Sequence, residues 1–239
     1  MLQGQTQIYR SQERGLVRSE VFSRYSVFNF ENAKQEADLP FGALEAMNDE
    51  TLCPKNKIMR HVDHYNDVVI IPLSGSILYK DSLGNQAIVE TEQIGIFSVQ
   101  EGMVYELMNL YEEAHVNYLQ IWLRADEKHF RRTCKSRDFE QPQINSLFPV
   151  FAGWKNDIPV LKTNAEAFGH IGVYNAGRNG KYTLKNNRNG LFVFVINGSF
   201  DFNGRVLQSR DAMTLSGIHF LPFIAKSENA AVLLIEIPL

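Results

Sequence analysis

Met59-Arg60-His61-Val62-Asp63-His64-Tyr65-Asn66-Asp67-Val68-Val69-Ile70-Ile71-Pro72-Leu73-Ser74-Gly75 is the stretch whose reading decides the fold. Its second half is an apolar run of strand length that stops at a glycine, and Ser76-Ile77-Leu78-Tyr79-Lys80 restarts as another strand. Its first half packs two histidines and two aspartates into the seven residues from His61 to Asp67. Histidine and carboxylate at the mouth of a strand are common metal-site material in all-β proteins.

The strand rhythm continues on both sides. Downstream, Asp81-Ser82-Leu83-Gly84-Asn85 is a turn, and Gln86–Glu92, Ile94–Val99, Val104–Met108 and Val116–Leu123 follow as strands. Upstream, Tyr25-Ser26-Val27-Phe28-Asn29-Phe30 alternates with period two, and Glu31–Ala37 is a short helical candidate before Pro40. Asp126 to Pro149, with Lys128, Arg131, Arg132, Lys135 and Arg137, reads as an interdomain connection. The rhythm then resumes with Ile171–Asn175, Lys181–Leu184, Leu191–Ile196, Ser199–Phe202, Asp211–Ser216, His219–Ala225 and Ala231–Ile237. Asn197-Gly198 and Asn203-Gly204 are hairpin signals. Neither half holds a helix long enough to cross over a parallel sheet, so the expectation is all-β, of sandwich or jelly-roll type. The domains are expected at 1–138 and 139–239.

The halves overlay at Gly75 and Gly198, which suggests one fold used twice. Counting back by equal offsets, His61, Asp63 and Asp67 meet Leu184, Asn186 and Gly190. On that count only the first half carries ligand-type residues.

Charge is nearly balanced, with 24 Lys+Arg against 27 Asp+Glu, which gives no reason to expect nucleic acid as a partner. No apolar stretch has membrane-spanning length, and the start lacks a signal-peptide pattern, so the cytoplasm is the expected location. Cys53 and Cys134 are too few for a disulfide framework and are expected as reduced thiols.

Gly75 with its upstream strand, Lys80-Asp81-Ser82-Leu83-Gly84-Asn85, Leu119-Gln120-Ile121-Trp122 and the spacing Gly102-x-x-Tyr105-x-x-x-Asn109 together resemble the cupin superfamily, and more closely the pirin family of bicupins. The resemblance covers about Phe41–Arg124 well. It is weaker in the second half, where Asn197-Gly198 and Leu233–Pro238 are similar to a metal-free second barrel. It implies two double-stranded β-helix (jelly-roll) barrels packed as a bicupin, the N-terminal segment completing the second. It also implies an iron-type ion held in the first barrel by three histidines and a glutamate. Placed residue by residue, those ligands fall on His61, Asp63, Tyr105 and Leu107, so one is kept, two are changed and one is abolished. Some members oxidise flavonols such as quercetin; others are described as interaction proteins.

On residue chemistry, His61-x-Asp63 is also the spacing of two arms of a facial triad for Fe(II), with Tyr105 as third ligand or proton donor. Positions i and i+2 of a strand share a face, so both side chains would turn inward together. The plain alternative is a hydrogen-bonded His61–Asp63 pair, with the Tyr105 hydroxyl reaching Asp63 in the metal's place. His64 has the opposite parity and needs a bulge to enter. His115, His129, His170 and His219 read as surface or structural histidines, and Asp67 and Asn66 as turn-bonding residues. The expected function is therefore a pirin-like barrel with an altered metal site that binds a small organic molecule, without a cofactor. The alternatives are a metal-dependent, quercetinase-like dioxygenase using Fe(II) or another divalent transition metal, with His61, Asp63 and Tyr105 at its centre, and a protein-interaction module whose partner the sequence does not name.

Overall fold

The computed structural model describes residues 5–28, 39–139 and 143–239. Among these the regular structure is β-strand, with single 3-10 turns at Ser11–Glu13 and Glu127–His129. The candidate helix at Glu31–Ala37 lies outside the described residues, as do the last two residues of the Tyr25–Phe30 stretch. The strands are β1 (Thr6–Tyr9), β2 (Gly15–Arg18), β3 (Phe22–Ser26), β4 (Leu44–Leu52), β5 (Lys57–His61), β6 (Asn66–Ser74), β7 (Ser76–Asp81), β8 (Gln86–Glu90), β9 (Gln93–Val99), β10 (Val104–Met108), β11 (Val116–Arg124), β12 (Cys134–Asp138), β13 (Ser146–Gly153), β14 (Leu161–Thr163), β15 (Phe168–Tyr174), β16 (Asn179–Thr183), β17 (Asn189–Asn197), β18 (Ser199–Phe202), β19 (Arg205–Gln208), β20 (Ala212–Leu215), β21 (Phe220–Ala225) and β22 (Ala230–Pro238).

Two compact units result. One comprises residues 15–139 and 161–165; the other takes residues up to 14, 140–160 and 166–239. In the first unit, a sheet ordered β12-β9-β6-β11-β4-β3-β2 faces a sheet ordered β5-β10-β7-β8. Between them Ile58, Val62, Val68, Ile70, Tyr79, Phe97, Tyr105, Tyr118 and Trp122 share one core. The second unit repeats this with strands in the order β1-β20-β17-β22-β15-β13 and a sheet ordered β16-β21-β18-β19, around Phe200, Phe202, Leu221 and Phe223. The N-terminal strand β1 therefore completes the second barrel, pairing Thr6–Tyr9 with Ala212–Leu215. Asp211 fixes it by accepting from Arg10 and from the Ser11 backbone N–H, each at 2.8 Å.

Part of the expected interdomain connection is sheet. β12 pairs with β9 at the rim of the first unit, and β13 begins at Ser146. Its charged Lys135, Arg137 and Asp138 belong on an exposed sheet edge, where charge discourages pairing with another chain. The two asparagine-glycine signals also divide. Asn203 and Gly204 both have positive φ (54° and 86°) and close the β18–β19 hairpin, as a two-residue primed turn requires. Gly198 (φ 73°) instead turns the chain from one sheet of the second barrel into the other, since β17 and β18 do not pair. Gly75 (φ 75°) does the same in the first barrel. A Cβ there would also stand 3.1 Å from both Tyr111 and Val116.

Candidate functional site in the first barrel

Strand alternation settles which side chains enter the barrel. In β5, Ile58 is buried while Lys57, Met59 and His61 are exposed; beyond it Val62 is 2 % exposed and Asp63 is exposed again. On β10, Tyr105 lies opposite Arg60 and Leu107 opposite Ile58, with Tyr105 and Leu107 both fully buried. Directly paired residues share a face, so Ile58, Arg60, Val62, Tyr105 and Leu107 point inward. The expected convergence of His61, Asp63 and Tyr105 does not form. His61 and Asp63 do share a face, but it is the solvent face, opposite to Tyr105.

The equal-offset count misplaced the phase because the two halves differ by one residue at this corner. Val62 N–H donates to Met103 O and Leu184 N–H to His219 O, each at 3.0 Å and two residues before the partner of Arg60 or Tyr182. Val62 and Leu184 are thus equivalent, yet they precede Gly75 and Gly198 by thirteen and fourteen residues.

The interior is built around a buried ion pair. Arg60 Nη2 donates to Glu50 Oε1 at 3.1 Å, and Tyr118 Oη donates to Glu50 Oε2 at 2.6 Å. Arg24 on β3 lies opposite Glu50 and is itself 3 % exposed. Burial alone would lower the Arg60 pKa, but Glu50 outweighs it together with the nearby phenols, and the guanidinium is held above its ordinary range. Burial raises both phenols, Tyr105 and Tyr118, so each keeps its proton. Aromatic rings complete the wall. Tyr79 stacks on Phe97 with centroids 3.8 Å apart, and Tyr105 lies 5.6 Å from Tyr79 and 6.0 Å from Trp122.

Buried polar atoms in this interior that make no hydrogen bond of good geometry include Tyr105 Oη, Gln120 Nε2, and both amide atoms of Asn66. Trp122 offers Tyr105 a side-chain hydrogen bond that lowers its pKa, and its indole N–H donates to Gln120 Oε1 at 3.0 Å. Sequence reasoning placed Asn66 in a turn and passed over Arg60 and Glu50. Their only sequence signal was charge at inward positions of β4 and β5.

The remaining candidates lie elsewhere. His64 Nε2 is 3.0 Å from Glu45, which Arg124 also engages. Asp67 is fully buried and accepts from Ser98 Oγ at 2.7 Å and from Asn164 Nδ2 at 2.8 Å; burial raises its pKa against these bonds. His115 and His219 are exposed, and His129 pairs with Asp126 at 2.7 Å on the surface. Cys53 and Cys134 are unpaired thiols.

In the second barrel the interior carboxylate is Glu236. It accepts from Tyr182 Oη, Lys185 N–H, Asn186 N–H and Asn189 Nδ2, all within 2.9 Å. Beside Tyr182 lies His170, whose ring is 5.0 Å away and edge-on. Burial, reinforced by Lys185, lowers its pKa from 6.5 to about 4. A histidine buried neutral contributes stability in full above its unfolded pKa and loses it as pH falls from about 6.5 toward 4. His170→Gln is expected to flatten that limb, worth about 3 kcal/mol in wild type. Urea unfolding at pH 7 and pH 4.5 measures it, and equal slopes in both proteins refute it.

The donor set does not fit the metal that the family implies. A site of three histidines and a glutamate requires anionic or neutral donors; the inward positions hold a guanidinium, two aliphatic chains and a protonated phenol. Among the described residues no cluster of three histidine, cysteine or acidic side chains has metal-binding geometry.

Residues 9–123 match the pirin family, and residues 155–237 match the quercetinase C-terminal cupin domain. A pirin-like protein of Caulobacter vibrioides is 25% identical over 77% of this chain and 79% of its own length. Quercetin 2,3-dioxygenase of Escherichia coli K12 is 22% identical over 58% of this chain and 60% of its own. The crystal structure of the bacterial pirin YhhW from Escherichia coli in complex with nickel(II) superposes with a TM-score of 0.84 at 18% identity, covering 98% of this chain and 99% of that one. Two barrels of this topology, each matched by its own half of that family, make the chain a member of the pirin family of bicupins.

Proposed function

We propose that the first barrel binds a small planar organic molecule and does so without metal-dependent oxygen chemistry. The observation that carries this is the set of buried polar atoms on Asn66, Tyr105 and Gln120 that make no hydrogen bond of good geometry inside an aromatic wall. Each buried, unsatisfied polar group costs about 1–3 kcal/mol, and a ligand bearing both a flat apolar face and hydrogen-bonding oxygens would satisfy them together. Compare Glu236 in the second barrel, where every partner is supplied by the protein. The quercetin dioxygenase names among relatives favour a metal-dependent oxygenase as the other reading, but that chemistry needs ligands that the inward positions here do not offer.

Equilibrium dialysis against a panel of planar hydroxy-aromatic compounds tests the proposal. Wild type is expected to retain at least one of them, Tyr105→Phe to bind about tenfold more weakly for one lost hydrogen bond, and Val62→Trp not to bind. Retention that is indifferent to both substitutions places the ligand elsewhere and contradicts the proposal.

A further inference from the structure

We infer that the outer face of the second barrel carries a saccharide site, a cleft that takes one neutral sugar ring and is independent of the first barrel's interior. The cleft has a volume of about 370 Å³. That lies near the lower end for small-molecule sites and suits a single ring-sized ligand.

Strand pairing opens the cleft. β21 pairs with β16 from Asn179↔Ile224 through Thr183↔Phe220, but with β18 only at Phe200↔Ala225 and Asp201↔Ile224. Beyond that, Pro222 has no N–H to donate, and β18 continues into its hairpin with β19. The Phe223 ring, 2 % exposed, lies beneath the gap, so close to Gly180 that a Cβ there would stand 2.2 Å from it. Directly paired residues share a face. Phe200 is fully buried, so its neighbour Asp201 turns outward together with Ile224 and Asn179.

The lining then selects the ligand. Ile224, 41 % exposed, and Pro222 form an aliphatic floor. Asn179 and Asp201 flank it from the two neighbouring strands, and Asn203 joins from the β18–β19 turn. Asp201 Oδ1 accepts from the Gly204 N–H at 2.6 Å, which fixes the carboxylate at the rim before any ligand arrives. A carboxylate only accepts, whereas each primary amide both donates and accepts. A hydroxyl does both, so neighbouring hydroxyls of a sugar match this rim while the C–H face of the ring covers Ile224 and Pro222. An ammonium ion would use the acceptors and leave the amide N–H groups idle. Phe223 is buried, so a planar aromatic ligand finds no ring to stack on there.

The test follows backbone and side-chain amide signals of the full, isotope-labelled chain by NMR. The probes are methyl α-D-glucoside and methyl β-D-galactoside, with cyclohexylammonium as a cationic ring of similar size. At least one glycoside is expected to shift the Gly204 N–H and the Asn203 side-chain amide saturably, with a Kd of about 1 mM, as suits an open site. Asp201→Ala is expected to weaken binding about tenfold, and Asn179→Ala, which leaves the turn untouched, by a similar factor. Ile224→Trp, at an exposed position, fills the cleft and is expected to abolish the shifts. Glycoside shifts unchanged in Asp201→Ala and Ile224→Trp overturn the inference. Saturation by cyclohexylammonium without a response to either glycoside overturns it in favour of a cation site, and silence with every probe overturns it outright.

Discussion

Glu50→Ala is expected to destabilise the first barrel by about 3–5 kcal/mol, more than any other single interior substitution. Glu50 is fully buried, and its two oxygens take the Arg60 guanidinium and the Tyr118 hydroxyl. Removing it takes a carboxylate from the buried Arg60 guanidinium and the acceptor from the buried Tyr118 hydroxyl in the same step. The Arg60 side chain is only 15% exposed, so solvent does not rescue the charge. Glu50→Leu combined with Arg60→Met should recover most of the loss, because a well-packed apolar pair is often as stable as the ion pair it replaces. Urea unfolding of the three proteins decides the matter. Equal stability of Glu50→Ala and wild type would mean the pair is solvated and not the centre of the barrel.

The second large effect is a gain. Replacing the four inward residues together, Arg60→His, Val62→His, Tyr105→His and Leu107→Glu, puts three imidazoles and a carboxylate on facing positions of β5 and β10, with Arg60 opposite Tyr105 in the wild-type register. About one nickel(II) per chain is expected to be retained through gel filtration, since ligand type and geometry set affinity at such a site. The contrasting variant keeps His61 and adds Asp63→His, Tyr105→His and Leu107→Glu. It should retain none, because positions 61 and 63 face solvent. Metal held by the second variant and refused by the first would reverse the assignment of faces.

Much of the fold was legible because period-two alternation and turn glycines are local signals. Val104–Met108 and Ser199–Phe202 were read to the residue, and most other strands that were given bounds to within a few at each end, while β4, β5, β13 and β19 were given none. What failed was long-range or polar. β12 carries charges where a strand is expected to be apolar, since an edge needs no second buried face. Asn197-Gly198 has hairpin chemistry but sits where the chain changes sheets, and only pairing tells these apart. The site was misread through a single residue of phase. The family resemblance located the right corner of the barrel, but β5 ends at His61 and the irregular Val62–Tyr65 connection breaks any parity carried back from β6. Arg60 and Glu50 gave no motif at all, because a buried ion pair joining two strands has no fixed sequence spacing.

The most direct test is metal content. Protein prepared without a histidine tag should be equilibrated with nickel(II) or iron(II), desalted and analysed for bound metal. The expected result is well under a tenth of an equivalent per chain, unchanged in His61→Ala and Asp63→Ala, on the grounds of donor chemistry alone. Near-stoichiometric metal in wild type, lost in either variant, would contradict the structure's placement of those residues and restore a metal centre to the first barrel.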